Sequence, residues 1–299
     1  MSTIDIHQEA LLVSLHTSMW TARKYDKKVT DKVNKDHGAS ADAGRFNKHL
    51  LPGDNGDNET YQYLVKYMGY IRRKHYELTL DWDEGRQLLP HANHAAYREF
   101  EADVKGEVAN VLYPAFRAAY PEMKEQARRL LNGMFVEADY PSLSEMDKKF
   151  GVTIDFSPVP KMDYRSSHLA KPLIEKMERE HEAREARLID TAMGDAWQRL
   201  YTCVESLQER LSTPNAVFRN SLIENLRECC DVLGRLNVMK DPSLERMRSA
   251  ALTNIARYEP DALREDDQTR GVVARTAADL MTEIRGTRRI RTAAEMRAA

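Results

Sequence analysis

The hydrophobic positions along the chain fall into several helix-period tracks and a single alternating one. Leu11, Leu12, Leu15, Met19 and Ala22 recur at three- and four-residue intervals, which predicts an opening helix over residues 6–35. Its end is expected at His37 and Gly38, because glycine accepts the left-handed backbone that closes a helix. The following ASADAGRFNKHLLPGDNGDNET joins an apolar anchor of Phe46, Leu50 and Leu51 to a stretch rich in Gly, Asn and Asp, an ordered turn leading into an exposed loop. A second helix is predicted over residues 59–79. Tyr63, Tyr67 and Tyr70 share one of its faces with Ile71 nearby, and Arg72, Arg73, Lys74 and His75 form a basic cluster beside them. Tyrosines so placed either pack with their phenolic tips at a wet boundary or stack with nucleotide bases.

After a turn at residues 80–85, the apolar track Ala96, Phe100, Val104, Val108 and Val111 predicts a helix over residues 93–110. Pro114 and Pro121 are expected to divide the next stretch into shorter helical pieces. The segment GVTIDFSPVP at 151–160 alternates apolar and polar residues and is the clearest strand signal. A strand needs a partner, expected around residues 133–136 or in a second chain. From Lys171 onward Leu200, Val204, Leu207 and Leu211 form a four-three-four seam, and Leu222, Leu226, Cys229, Leu233 and Leu236 make a matching stripe. A short connection through Ser212, Thr213, Pro214 and Asn215 would set the two stripes face to face as a long antiparallel helical hairpin. Further helices are predicted over 243–258, with Asp241 as cap and Pro242 in the first turn, and over 269–284.

The expected fold is therefore mainly α: a helical N-terminal region with a small β element, then the hairpin, then additional C-terminal helices. Three segments are expected, an aromatic-rich domain at 1–165, the hairpin with a covering helix at 166–258, and a terminal helix with a basic flexible tail at 259–299. Nineteen of the 23 aromatic residues precede Arg165, which is what separates the first segment from the charge-laced helices after it.

Charge narrows the partners. The formal net charge is -2, with 23 basic and 25 acidic residues through Arg165 and 22 of each afterwards, so neither portion is a bulk polycation. Local basic clusters remain, at Arg72, Arg73 and Lys74 and in the tail at Arg285, Arg288, Arg289, Arg291 and Arg297. Cys203, Cys229 and Cys230 are the only cysteines and make no CxxC pair, which points to a reducing compartment. The first residues show neither a signal peptide nor a membrane span.

Candidate chemistry is sparse. His91 and His94 share a helical face and could be joined by His75 or Asp83 around a metal, but there is no HExxH and no cysteine pair at ligand spacing. Glu137 and Asp139 could act as paired carboxylates, and Asp81, Asp83 and Glu84 could offer oxygen ligands, although turn and capping roles account for both groups. GxGxxG, GxxxxGK[ST] and GxSxG are all missing. No catalytic residue, cofactor or metal is assigned, and an enzyme is the less favored class.

The phrases LLVSLHTSMWTARKYDKKV, AGRFNKHLLPG, RLLNGMFVEADYPSLSEMDKKFGV and IDFSPVP resemble a family of tailed-phage and prophage accessory proteins carried among early or DNA-metabolism genes, over roughly residues 6–240. The resemblance implies a bacterial host cytoplasm and an association with replication, recombination or an ATPase partner. It carries over no catalytic residue. Within its first phrase Trp20, Arg23, Lys24 and Tyr25 mark a candidate interaction surface. Residues and resemblance together support three functional expectations. The first is a nonenzymatic phage accessory protein that self-associates or binds a host or phage protein through the hairpin. The second is a DNA- or RNA-binding accessory protein in replication or recombination using Arg72, Arg73, Lys74, Arg288, Arg289 and Arg291. The third is a metal-dependent or small-molecule enzyme built on His75, His91, His94, Glu137 and Asp139.

Overall fold

The computed structural model describes residues 4–40, 43–53, 58–83, 85–161, 170–213, 219–292 and 295–296. In chain order the elements begin with α1 (Ile6–Glu9), β1 (Ala10–Ser18), β2 (Arg23–Tyr25), α2 (Lys27–Asp36), β3 (Asn47–His49) and α3 (Glu59–Leu78). They continue with β4 (Leu80–Asp83), β5 (Arg86–Pro90), α4 (His91–Glu107), a π-helical turn (Val108–Leu112), α5 (Tyr113–Leu131), α6 (Leu143–Met146) and β6 (Gly151–Pro158). The remainder is helical: α7 (Lys171–Ser212), α8 (Ser221–Leu236), α9 (Pro242–Asn254), α10 (Pro260–Glu265) and α11 (Asp267–Thr287). The fold is mainly α, with the hairpin of α7 and α8 and the later helices where the periodicity puts them.

The opening helix is a correction. Only Ile6–Glu9 is helical before the chain turns into β1, which pairs antiparallel with β5 in the register Ala10↔Pro90 to Val13↔Gln87. A short apolar run satisfies a helix and a strand buried on both faces equally well, and here Leu12 and Val13, which point to opposite faces, are both fully buried. Helix resumes at α2, whose N-cap Asp26 accepts from Val29 N, and it closes as expected before Gly38, at φ 62°. The predicted turn at 80–85 is also more than a turn. Leu80–Asp83 and Arg86–Pro90 form a hairpin around Gly85, at φ 77°. The sheet order is β4-β5-β1-β6, so β6 pairs with β1 and, among the described residues, not with residues 133–136. Pro114 and Pro121 do not break the chain into pieces: α5 runs through Pro121, and the π turn before it resets the hydrogen bonding just ahead of Pro114. The loop center at 54–57, Glu84, Arg165, the connection at Pro214 and Asn215, and Arg297 lie outside the described residues.

The chain forms two compact units, each discontinuous in sequence. One comprises Met1–Ser14, Lys74–Arg98 and Asp155–Ala299, the other Leu15–Arg73 and Glu99–Ile154. The core of the first unit is built on α7. Trp197, Leu200, Tyr201, Val204, Leu207 and Leu211 are buried against Leu226, Leu233 and Leu236 of α8, Leu244 and Met247 of α9 and Leu280 and Ile284 of α11. The seam residues that predicted a hairpin are thus covered within the chain. Asp241 caps α9 by accepting from Ser243 N and Leu244 N, and the Trp197 indole donates to it at 3.0 Å. Arg199 donates to the carbonyls of Glu77 (3.1 Å) and Thr79 (2.7 Å) while paired with Asp195, which ties α7 to the end of α3.

The second unit has an aromatic core. Trp20 meets Tyr61 and Tyr120 edge-on, at centroid distances of 6.2 and 5.8 Å, and Phe116 packs between Tyr61, Tyr120 and Phe150. Three phenols of this core find carbonyls: Tyr61 donates to Trp20 O, Tyr120 to Pro141 O and Tyr140 to Leu50 O. Burial pushes the Tyr61 and Tyr140 hydroxyls up to about 12. Lys48 on β3 is buried in this unit, where its ammonium meets Asp139 at 2.8 Å, Asp26 at 3.8 Å and the carbonyl of Met134 at 2.8 Å.

Candidate nucleic-acid interface

Within the second unit α3 is sharply two-faced. Leu64, Met68 and Ile71 are fully buried, so Ile71 belongs to the inward face and not with the tyrosines. Tyr63 and Tyr70 stand outward with 53% and 37% of their surface exposed, and Tyr67 lies half-buried between them. Their spacing of four and then three residues places them one above the other on the helix. The Tyr67 and Tyr70 rings lie 5.4 Å apart at 37°, an inclined pair. Lys66 sits 5.7 Å from the Tyr63 ring center and Arg73 5.7 Å from that of Tyr70, so each outer ring carries a cation on its face. Gly69, between them on the exposed side, has open space where a Cβ would stand.

Acidic groups sit at the ring tips. The Tyr63 hydroxyl is hydrogen-bonded to Glu59, which raises its pKa, and Tyr67 is raised by burial together with the nearby charges of Glu107 and Asp103. The face therefore offers aromatic planes with cations on its outer rings, and acidic groups beside Tyr63 and Tyr67.

The other residues singled out from the sequence disperse. Trp20 is a core residue. Arg23, Lys24 and Tyr25 form the exposed strand β2, paired with β3 in the register Arg23↔His49, Lys24↔Lys48 and Tyr25↔Asn47. Arg72 is held by two hydrogen bonds to Thr17 Oγ1, at 3.0 and 2.8 Å, and Lys74 pairs with Glu77 at 2.7 Å. In the tail, Arg288 donates to the Asp190 carbonyl at 2.6 Å and pairs with its carboxylate at 2.5 Å. The amide of Gln198 brackets Arg291, accepting from its N–H and donating to its carbonyl. These contacts fix the start of the tail on α7. Arg289 is exposed.

The enzyme candidates do not assemble. His75 is buried, its Nδ1 2.5 Å from the Tyr97 hydroxyl, and burial lowers its pKa to about 4. His91 is exposed, and His94 lies edge-on to Phe156. Glu137 pairs with Lys124 and Arg128, while Asp139 pairs with Lys48, so the two carboxylates are neutralised separately. Asp83 pairs with Arg86 and Arg184. Among the described residues no group of three or more His, Cys, Asp or Glu is placed to hold a metal ion. A cleft of about 230 Å³ lined by Trp82, Val159, Pro160 and Leu188 contains a feature that sequence reasoning missed: Glu185 is shared by His7 at 3.1 Å and His181 at 3.6 Å. His181 and Glu185 at helical spacing were a legible signal, but His7 comes from far along the chain.

The chain matches no family model, no curated protein and no solved structure. Among the described residues no helix is long and apolar enough to cross a membrane.

Proposed function

We propose that the protein is a nonenzymatic accessory protein that binds single-stranded nucleic acid, with the outward face of α3 as its platform, and that it acts in phage replication or recombination in the host cytoplasm. The supporting observation is the ladder of exposed Tyr63 and Tyr70 with half-buried Tyr67 between them and Lys66 and Arg73 on the outer rings. Each base has a π-face, so a ladder of rings binds single strands with little regard to sequence, and neighboring cations offset the phosphates. Duplex DNA keeps its bases stacked inside and gives the rings nothing to meet. The acidic groups Glu59, Asp103 and Glu107 beside the ladder further favor contact through bases over contact through a run of phosphates.

Fluorescence anisotropy with a labeled oligothymidylate tests the proposal. The intact chain is expected to bind it, and Tyr63→Ala, Tyr67→Ala and Tyr70→Ala are each expected to cost about 1–3 kcal/mol of binding. Absence of binding at low salt overturns the reading.

A second reading, self-association or binding to a host or phage protein, draws on the first turns of α7, where Leu173 is 44% exposed and Ile174 and Met177 are half-buried. Sedimentation of the intact chain against a Leu173→Glu variant distinguishes it: an oligomer dispersed by the substitution supports this reading, and a monomer in both cases removes self-association.

A further inference from the structure

Cys203 on α7 and Cys229 on α8 meet across the helical hairpin. The Cys229 sulfur lies 3.9 Å from the carbonyl oxygen of Arg199. That carbonyl is the helical acceptor for the N–H of Cys203, four residues on, so the Cys229 sulfur sits against the turn from which the Cys203 side chain leaves. The two thiols are near enough to act on each other's ionisation, and the Cys229 thiol donates to the Arg199 carbonyl. Both are half-buried, whereas the adjacent Cys230 is fully buried and turned into the core.

We propose that Cys203 and Cys229 are a modification site, closing to an intramolecular disulfide when the protein meets hydrogen peroxide. The residues divide the work by their surroundings. The neighboring Cys229 thiol favors a thiolate at Cys203, and the positive charge of Arg199 adds to it, so the Cys203 thiol is held below its ordinary range. Nearness to Cys203, together with burial, pushes Cys229 up. Burial, with the nearby Cys203, Asp231 and Glu245, raises Cys230 to about 12, which keeps it a thiol.

In the first step the Cys203 thiolate attacks one peroxide oxygen. The O–O bond breaks, and the leaving hydroxide takes up a proton to become water, with Cys203 left as a sulfenic acid. In the second step the Cys229 sulfur attacks the sulfenic sulfur, the S–S bond forms, and the hydroxyl departs as a second water with the Cys229 proton. Two thiols are oxidised by one peroxide, which is reduced to two waters. Thiol reductants reverse the bond, which suits a chain whose cysteines point to a reducing compartment.

The test uses the full chain, treated with hydrogen peroxide, unfolded and alkylated with N-ethylmaleimide, then read by intact mass and by sequencing of the linked peptides. The expected result is a monomer lacking two hydrogens, labeled only at Cys230, with Cys203 joined to Cys229 and full labeling restored by dithiothreitol. The oxidised chain is expected to melt roughly 5–10 °C higher, since the bond closes the loop between α7 and α8. Cys230→Ala should retain the link, and Cys229→Ser should stop at a sulfenic acid that dimedone traps. The proposal is overturned if all three cysteines remain alkylatable in the peroxide-treated chain, if the link joins two protomers, or if Cys203 is over-oxidised while Cys229 stays free.

Discussion

His75 shows how far a residue's surroundings can depart from what its neighbors in sequence suggest. It ends the run Arg72-Arg73-Lys74-His75, yet it is buried against Tyr97 and held neutral, with its pKa lowered to about 4. Its unfolded value is about 6.5, so on acidification the unfolded chain takes up the proton first. The stabilisation is complete above pH 6.5 and is lost as pH falls to 4, by roughly 3 kcal/mol. Denaturant unfolding of the chain across that window should show the loss, and His75→Gln should flatten it; an equally steep decline in the variant would assign it to other groups. Lys48 is the second such case. Removing its ammonium strands Asp139 in a buried site, so Lys48→Ala is expected to cost about 3–5 kcal/mol. The double variant Lys48→Met/Asp139→Leu should recover much of that loss, and a double variant no better than Lys48→Ala would contradict the assignment. Neither partner pair was legible beforehand, because Lys48 and Asp139 are 91 positions apart and sequence proximity joined Asp139 to Glu137 instead.

At the level of elements, most of the long periodic segments and the alternating β6 were legible, while the opening helix and the other strands were not. The tracks that predicted α3, α7, α8, α9 and α11 extend over several turns, enough for the 3.6-residue period to outweigh the alternatives. The β1 strand failed that test, because its first half is apolar on both faces and its pairing with β5 decides the matter. The β4 strand carried a usable signal that the turn chemistry hid: Leu80 and Trp82 are buried and Asp81 is exposed, a true alternation just before Gly85. The tyrosines were recognised as sharing a face, but periodicity does not say whether a face looks inward, and Leu64, Met68 and Ile71 took the inward side of α3. Gly69 allows an element-scale test. A Cβ there meets nothing, so Gly69→Ala should stabilise the helix by about 0.5–1 kcal/mol. A calorimetric melt that falls on this substitution would mean that the α3 surface is covered. Alanine at Tyr63 or Tyr70, being exposed, is expected to change stability by no more than about 0.5 kcal/mol, so any loss of binding there reports the surface.

For the whole molecule, the two units interleave along the chain, and their boundaries fall inside β1, α3, α4 and β6. Sequence segmentation follows composition and so separates aromatic-rich from charge-rich stretches, whereas units close by contacts between distant segments. The net charge of -2 argues against general attraction to polyanions, so binding should rest on the rings of α3 and few ionic contacts. With Lys66 and Arg73 as the contributing cations, the logarithm of affinity for a single strand should fall with the logarithm of salt at a slope of about -1.4. A slope several times steeper would shift the binding to a more extensive basic surface such as the arginines of the tail. The most direct test is photo-crosslinking of a 5-iodouracil-substituted single strand to the intact chain, followed by peptide sequencing. A binding platform on α3 predicts crosslinks at Tyr63, Tyr67 and Tyr70 that an unlabeled single strand competes away and a duplex does not. Crosslinks confined to Arg288, Arg289 and Arg291, or none at all, would contradict it.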